Sequence, residues 1–245
     1  MSIITISKKK VTRLRSMGIF VLLLLLVGCT SITPEENDLV ESNPTPQPTV
    51  TVPPSYPYHA VEIVENNVGT TIQSQYDAIK QHAHMIAENA RALGFSEDSE
   101  YIQYAQKLWQ FADNQYQEDI DIIATVVYNE AWGGCSTRHR ELVAATFVNR
   151  MQNEGHDFGS VHTAYEVACQ RNQYNPKYAD PDSIYGQNAR QDPEIWETCR
   201  QIAIKALAGE VPCPSNVLYQ SQHIQGEIYE IHETSYSTTY FCFGE

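Results

Sequence analysis

The sequence runs to 245 residues with 16 Lys and Arg against 30 Asp and Glu, a net charge of −14. Five of the basic residues (Lys8, Lys9, Lys10, Arg13 and Arg15) fall within the first 28 positions, which hold no acidic residue, so the rest carries 11 basic and 30 acidic side chains, a net −19. Such a chain is repelled by nucleic-acid phosphates and anionic lipid headgroups, which excludes nucleic acid as a partner and points to a neutral, basic or sugar-like ligand.

Residues 1–28 read as a targeting segment. The basic stretch is followed by the apolar run Ile19 to Val27, shorter than the ~20 residues of an ordinary transmembrane helix and suited to a signal peptide. Its end, Leu26-Val27-Gly28-Cys29, resembles a bacterial lipoprotein lipobox. That resemblance implies Cys29 as the lipid-modified first residue of an exported chain tethered to the cell membrane and facing the cell wall; an uncleaved short anchor is the alternative. Residues 29–58 carry Pro34, Pro44, Pro46, Pro48, Pro53, Pro54 and Pro57 among Thr, Ser, Asn and Glu. With so little apolar surface they are expected to form a disordered, partly polyproline linker.

Residues 59–117 form the next expected unit, a helical hairpin or accessory region. Ile72, Tyr76, Ile79, Ala83, Ile86, Ala90 and Leu93 recur in steps of three and four and predict an amphipathic helix from Ile72 to Gly94. His82 and His84 are two apart and do not share a helical face, so they are read as surface residues. A second helix is expected from Glu97 to Gln117, with Tyr101, Tyr104, Ala105, Leu108 and Trp109 on one side.

Residues 118–245 are expected to form the main domain. Ile120, Ile123, Ala124, Val127 and Ala131 make one apolar helical face, and Gly133-Gly134 reads as the stop. Glu130 falls in the last turn, on the flank of that face. Apolar neighbours and unpaired terminal carbonyls both disfavour an ionised carboxylate there, so its pKa is expected to rise, as a general acid requires. A Glu that merely turns to solvent is the plain alternative. Leu142 to Val148 is apolar almost all round and predicts a buried helix, capped by Ser136 or Thr137 and ending at Asn149-Arg150.

Beyond it, a short helix is expected from Val161 to Ala168 and a loop from Gln170 to Ala189, where Tyr174, Tyr178 and Tyr185 are candidates to stack on sugar rings or to pin the loop to the core. Asp192-Pro193 starts a further helix, which Gly209 ends. Asn216 to Gln222, Glu227 to His232 and Thr238 to Phe243 alternate as short strands. The fold class is α+β, mainly helical with a small C-terminal antiparallel sheet.

The run from Glu130-Ala131 through the glycine turn, the buried helix, Asn149-Arg150 and then Gln173-Tyr174 resembles the SleB-type cell-wall hydrolases, over about Ile120 to Phe243. The chain departs from that family at Gly134, where a second Glu is common, and near Arg140, where a Gln is usual. The resemblance implies a lysozyme-like domain that cleaves the glycan strand of peptidoglycan, with no cofactor and no metal expected, as a lytic transglycosylase with Glu130 as acid and base. Under it Gln173 and Tyr174, together with Tyr128 and Tyr219, are substrate-binding candidates, while Asn149 and Arg150 organise structure near the site. Two other readings stand beside it. One is a non-catalytic peptidoglycan-binding lipoprotein. The other is a Cys/His wall peptidase pairing Cys135, before a helix N-terminus that would lower its thiol pKa, with His223 or His232. With Cys29 lipidated, Cys135, Cys169, Cys199, Cys213 and Cys242 remain, an odd number that leaves at least one thiol free.

Overall fold

A computed structural model describes residues 71–153, 155 and 157–244. The expectations for residues 1–70, including the signal peptide, Cys29 and the linker, lie outside the described residues. Helix α1 spans Ile72–Ala92, and the Thr71 side chain caps it by accepting from the Ser74 N–H. Its buried face is Ile72, Tyr76, Ile79, Ala83 and Ala90, the stripe that the spacing predicts. Gly94 then takes the left-handed conformation, φ +82°, and turns the chain back.

Helix α2 is a single element of 32 residues, Glu100–Ala131. The sequence reading placed a boundary at residue 117, between an accessory region and the main domain; the structure runs straight through it. The physical reason is visible in the residues. No Gly or Pro lies between Glu100 and Ala131, and the inward positions Ala105, Leu108, Ala112, Tyr116, Asp119, Ile123, Val127 and Ala131 keep steps of three and four across the junction. Ile72, Tyr76, Ile79 and Ala83 of α1, with Leu108 and Ala112 of α2, belong to the same apolar core as Ile123, Val127 and Ala131.

Helix α3, Thr137–Gln152, is the central helix, with every residue from Leu142 to Val148 buried. Ser136 caps it, its side chain accepting from the His139 N–H. Helix α4, Ala164–Cys169, starts later than expected because Thr163 and Glu166 form a reciprocal capping box there. The stretch read as loop contains a 3₁₀ turn, Pro176–Ala179, and helix α5, Ile184–Arg190, capped by Ser183. Gly186 has to be glycine: a Cβ there would sit 2.7 Å from the backbone oxygens of Asp180 and Pro181. Helix α6, Pro193–Leu207, begins at the Asp192 cap.

Strands β1 (Val217–Ser221), β2 (Ile228–Glu233) and β3 (Thr238–Phe243) form an antiparallel sheet in the order β1-β3-β2. Gln220 pairs with Phe241, and Ile231 with Tyr240. Val217 and Leu218 of β1 bury against α3, so the sheet packs on the end of the helical core. The architecture is α+β, mainly helical, with the sheet at the C-terminal end. All five described cysteines are free thiols, and no described helix is long and apolar enough to cross a membrane.

Candidate functional site

The site is assembled where α2 ends. Glu130 lies one residue before the last of α2, and Gly133 turns the chain out of the helix with φ +80°. The terminal carbonyls are not left bare. Arg140, one turn into α3, donates from Nε to the Ala131 oxygen at 3.2 Å and lays its guanidinium 4.1 Å from the centre of the Trp132 ring. A cation therefore compensates the negative end of α2, and Arg140 acquires a structural task at a position the sequence reading singled out only as a departure.

Glu130 itself is solvent-accessible, yet protein crowds its carboxyl on most sides. Burial pushes its pKa upward; the Tyr178 hydroxyl, which donates to it, and the Arg150 charge pull back without cancelling the rise. The direction agrees with the sequence reading. The cause is desolvation, since the helix end is already compensated.

Arg150 is buried to 2% exposure and is clamped between two rings, its guanidinium 4.9 Å from Tyr174 and 5.1 Å from Phe158. Its Nε donates to the Leu218 oxygen at 2.7 Å. Asn149 donates to the Pro214 and Val217 oxygens at 2.8 and 3.0 Å. The pair thus staples the end of α3 to β1, and the Arg150 charge also acts on Glu130. Its Nη1 and the Tyr174 hydroxyl are buried with no well-formed hydrogen-bond partner among the described residues. Burial pushes the Tyr174 hydroxyl up to about 12, against the pull of Arg150. Of the three sequence pairs, one member of each interacts with its counterparts here: Glu130, Arg150 and Tyr174 feel one another's charge, while Asn149 is engaged with the Pro214 and Val217 oxygens.

The other sequence-predicted residues fall in different places. Tyr174 packs its ring 5.2 Å from Phe147 and 4.9 Å from the Arg150 guanidinium, with its hydroxyl buried as well, so the expected sugar contact is corrected: burial in the core makes it a support for Arg150. Gln173 is half-buried in the turn just before it. Tyr219 donates to Asp157 and sets its ring 5.9 Å from Phe158, behind Arg150. Tyr128 stacks on Trp132 at 6.0 Å. Two residues along an α-helix turn roughly 200°, so Tyr128 and Glu130 leave α2 on opposite sides. Tyr178, grouped in the sequence only with possible sugar stackers, is the residue that holds Glu130.

Tyr178 also walls a hollow of about 300 Å³, lined by Ile122, Asp121, Thr125, Pro181 and Arg190. Arg190 reaches Asp121 at 3.4 Å and Arg200 pairs with the same carboxylate. Asp121 lies nine residues before Glu130, about 13 Å along the helix axis at 1.5 Å per residue. That exceeds the ~6.5–9.5 Å separation of an inverting carboxylate pair.

At the opposite end of the turn, burial raises the Cys135 thiol, and Arg140 only partly offsets it. The lowered thiol expected from a helix N-terminus is therefore corrected: Cys135 does stand before α3, but desolvation dominates. The two ring nitrogens of His232 face Ser136 and Glu230 instead. No group of three or more His, Cys, Asp or Glu among the described residues is arranged to hold a metal ion. Comparison with protein-family models, with curated proteins and with solved structures gives no match to this chain.

Proposed function

We propose that the protein cleaves the glycan strand of peptidoglycan as a lytic transglycosylase, with Glu130 as its acid and base on a lysozyme-like, SleB-type domain. The observation that carries the reading is the state of Glu130: solvent-accessible, with a pKa raised by desolvation, bonded by Tyr178 and within reach of the charge of the buried Arg150. A carboxyl with a raised pKa keeps its proton for the glycosidic oxygen. As the bond breaks, charge develops on the carboxylate, and Arg150 and the Tyr178 hydroxyl stabilise that form. The carboxylate then takes the proton of the C6 hydroxyl as that oxygen attacks C1, which closes a 1,6-anhydro ring. One carboxyl serves both steps, in keeping with the distance to Asp121. The negative charge of the chain suits a wall ligand over nucleic acid, and Cys29 would tether the domain to the membrane facing that wall.

The test is digestion of purified sacculi. Glu130→Gln keeps the size and removes the transferable proton; general acid–base assistance is worth ~10²–10⁴-fold, so release of soluble fragments is expected to fall by at least that range in a variant that melts like the parent. Fragments from the parent are expected to end in MurNAc one water lighter than a hydrolysis product, by mass spectrometry. Ordinary reducing ends overturn the transglycosylase step, and full activity in Glu130→Gln overturns the assignment of Glu130. No release by the parent favours the non-catalytic wall-binding reading.

A further inference from the structure

The junction between the start of α3 and strand β2 holds a second set of reactive groups, separate from Glu130. His232 on β2 stands between two oxygens. Its Nε2 is 2.7 Å from Glu230 Oε1, and its Nδ1 is 3.5 Å from Ser136 Oγ. Glu230 and His232 are two residues apart on a strand, so they project from the same face.

The hydrogen-bond roles fit one tautomer. Glu230 accepts three bonds from Arg138, at 3.2, 3.2 and 2.8 Å, and Arg138 is held in turn by the Pro212 oxygen and the Tyr229 hydroxyl. Burial would raise the Glu230 carboxyl, but its bonds from Arg138 and His232 outweigh that and keep it below its usual range. An ionised Glu230 takes the Nε2 proton of His232, which leaves the Nδ1 lone pair facing Ser136. Ser136 Oγ already accepts the His139 N–H at 3.1 Å, so its own proton is free to point at Nδ1. The imidazole is fixed in plane by Phe241, edge-on at 5.8 Å, and by the His139 ring at 5.0 Å. His139 does not compete as a base: burial first, then His232 and Arg140, bring its pKa down to about 4.

From this geometry we infer that Ser136, His232 and Glu230 form a nucleophile–base–carboxylate triad for acyl transfer, acting on carboxylic esters of small acids. The hydroxyl is exposed beside Gly133-Gly134, where an added Cβ would meet nothing within 4 Å. An open, shallow approach suits a short acyl group carried on a large alcohol, not a long chain that needs an enclosed tunnel. Ser136 Oγ attacks the ester carbonyl carbon and its proton passes to His232 Nδ1. The C–O bond to the alcohol breaks as His232 returns that proton to the leaving oxygen. Water, deprotonated by His232, then releases the acid and restores the serine. Helix geometry leaves the first N–H groups of α3, at Thr137 and Arg138, without intrahelical acceptors, and such groups next to the nucleophile are the donors a developing oxyanion needs.

The site is tested on the whole protein with a fluorophosphonate and with p-nitrophenyl acetate. Expected is a single adduct mapped by tandem mass spectrometry to Ser136. Ser136→Asn keeps a good helix cap and removes the nucleophile; it is expected to abolish the adduct and the enzyme-dependent release of p-nitrophenol. His232→Gln, a second variant that leaves the cap intact, is expected to slow both by at least 100-fold, the low end of general-base assistance. No adduct under conditions that label a known serine esterase overturns the inference, as does an adduct on another residue or unchanged turnover in Ser136→Asn. Full labelling and turnover in His232→Gln, with a melting temperature equal to the parent's, would mark Ser136 as a cap alone, and also overturns it.

Discussion

Asp119 lies in the middle of α2 with no solvent exposure, accepting from the Tyr76 hydroxyl at 2.7 Å and from the Ala164 N–H at 3.3 Å. It joins α1, α2 and α4 through one carboxyl. Burial pushes its pKa up from 3.8 to about 6, against the hydrogen bonds from Tyr76, Ala164 and Gln115 that favour the charged form. The folded state therefore holds the proton more tightly than the unfolded chain. As pH rises from about 4 through 6, the unfolded chain has already lost its proton while the folded one must give it up at a cost, so stability falls across that window. A shift of about 2 units corresponds to roughly 3 kcal/mol, at 1.36 kcal/mol per unit. Asp119→Asn supplies the reference. An amide and a protonated carboxyl can both donate to the Tyr76 oxygen, with that hydroxyl reversing its role, while their carbonyl accepts from Ala164. Urea melts at pH 4, 5, 6, 7 and 8 are expected to show the parent losing about 3 kcal/mol relative to Asp119→Asn between pH 4 and pH 7, then no more. A parent that gains on the Asn variant as pH rises would refute the reasoning, because the hydrogen bonds would then outweigh the desolvation.

Removing residues 1–116 is expected to give an insoluble or molten chain, where an accessory hairpin at residues 59–117 would have left the rest able to fold. The cut divides α2 and discards Ile72, Tyr76, Ile79 and Leu108 from the core, about 6–12 kcal/mol of burial at ~1.5–3 kcal/mol each, against a typical stability of ~5–15 kcal/mol; circular dichroism and near-ultraviolet spectra check it. Arg150→Met fills the slot between Tyr174 and Phe158 but removes the charge that lowers the Glu130 pKa. The alkaline fall of sacculus cleavage is expected to move to higher pH, and an unmoved pH profile would show that the Arg150 charge does not reach Glu130.

Much of this architecture is legible in the residues, because each signal is local. The apolar stripe of α1, the all-round apolar α3, the Asp192-Pro193 start of α6 and the alternation of three strands each declare one element within a dozen positions. The continuity of α2 is also written in its steps of three and four, but a reading that begins from Glu130 and a resemblance starting near Ile120 splits it. Helix α5 is harder: Ile184 to Arg190 has no apolar stripe, and its formation rests on the Ser183 cap and the close approach at Gly186, which depend on the fold around it. At the site, Glu130 was legible from position and Arg150 from its neighbour in sequence. Tyr178 was not assigned to Glu130, and Ser136 was read only as a cap, because each meets its partner across a long separation: 48 residues for one and 96 for the other.

A helix that serves two packing environments at once constrains how the chain can vary in length. Each residue inserted or deleted between Ala112 and Asp119 would turn one half of α2 by about 100° against the other and slide it 1.5 Å. Leu108 and Ala112 would leave α1 just as Asp119 lost Tyr76, or Glu130 would rotate off Tyr178. No loop lies between the halves to absorb the change. The α1 hairpin and the Glu130 site are geared to one shaft, so this stretch tolerates changes of residue type but not of residue number.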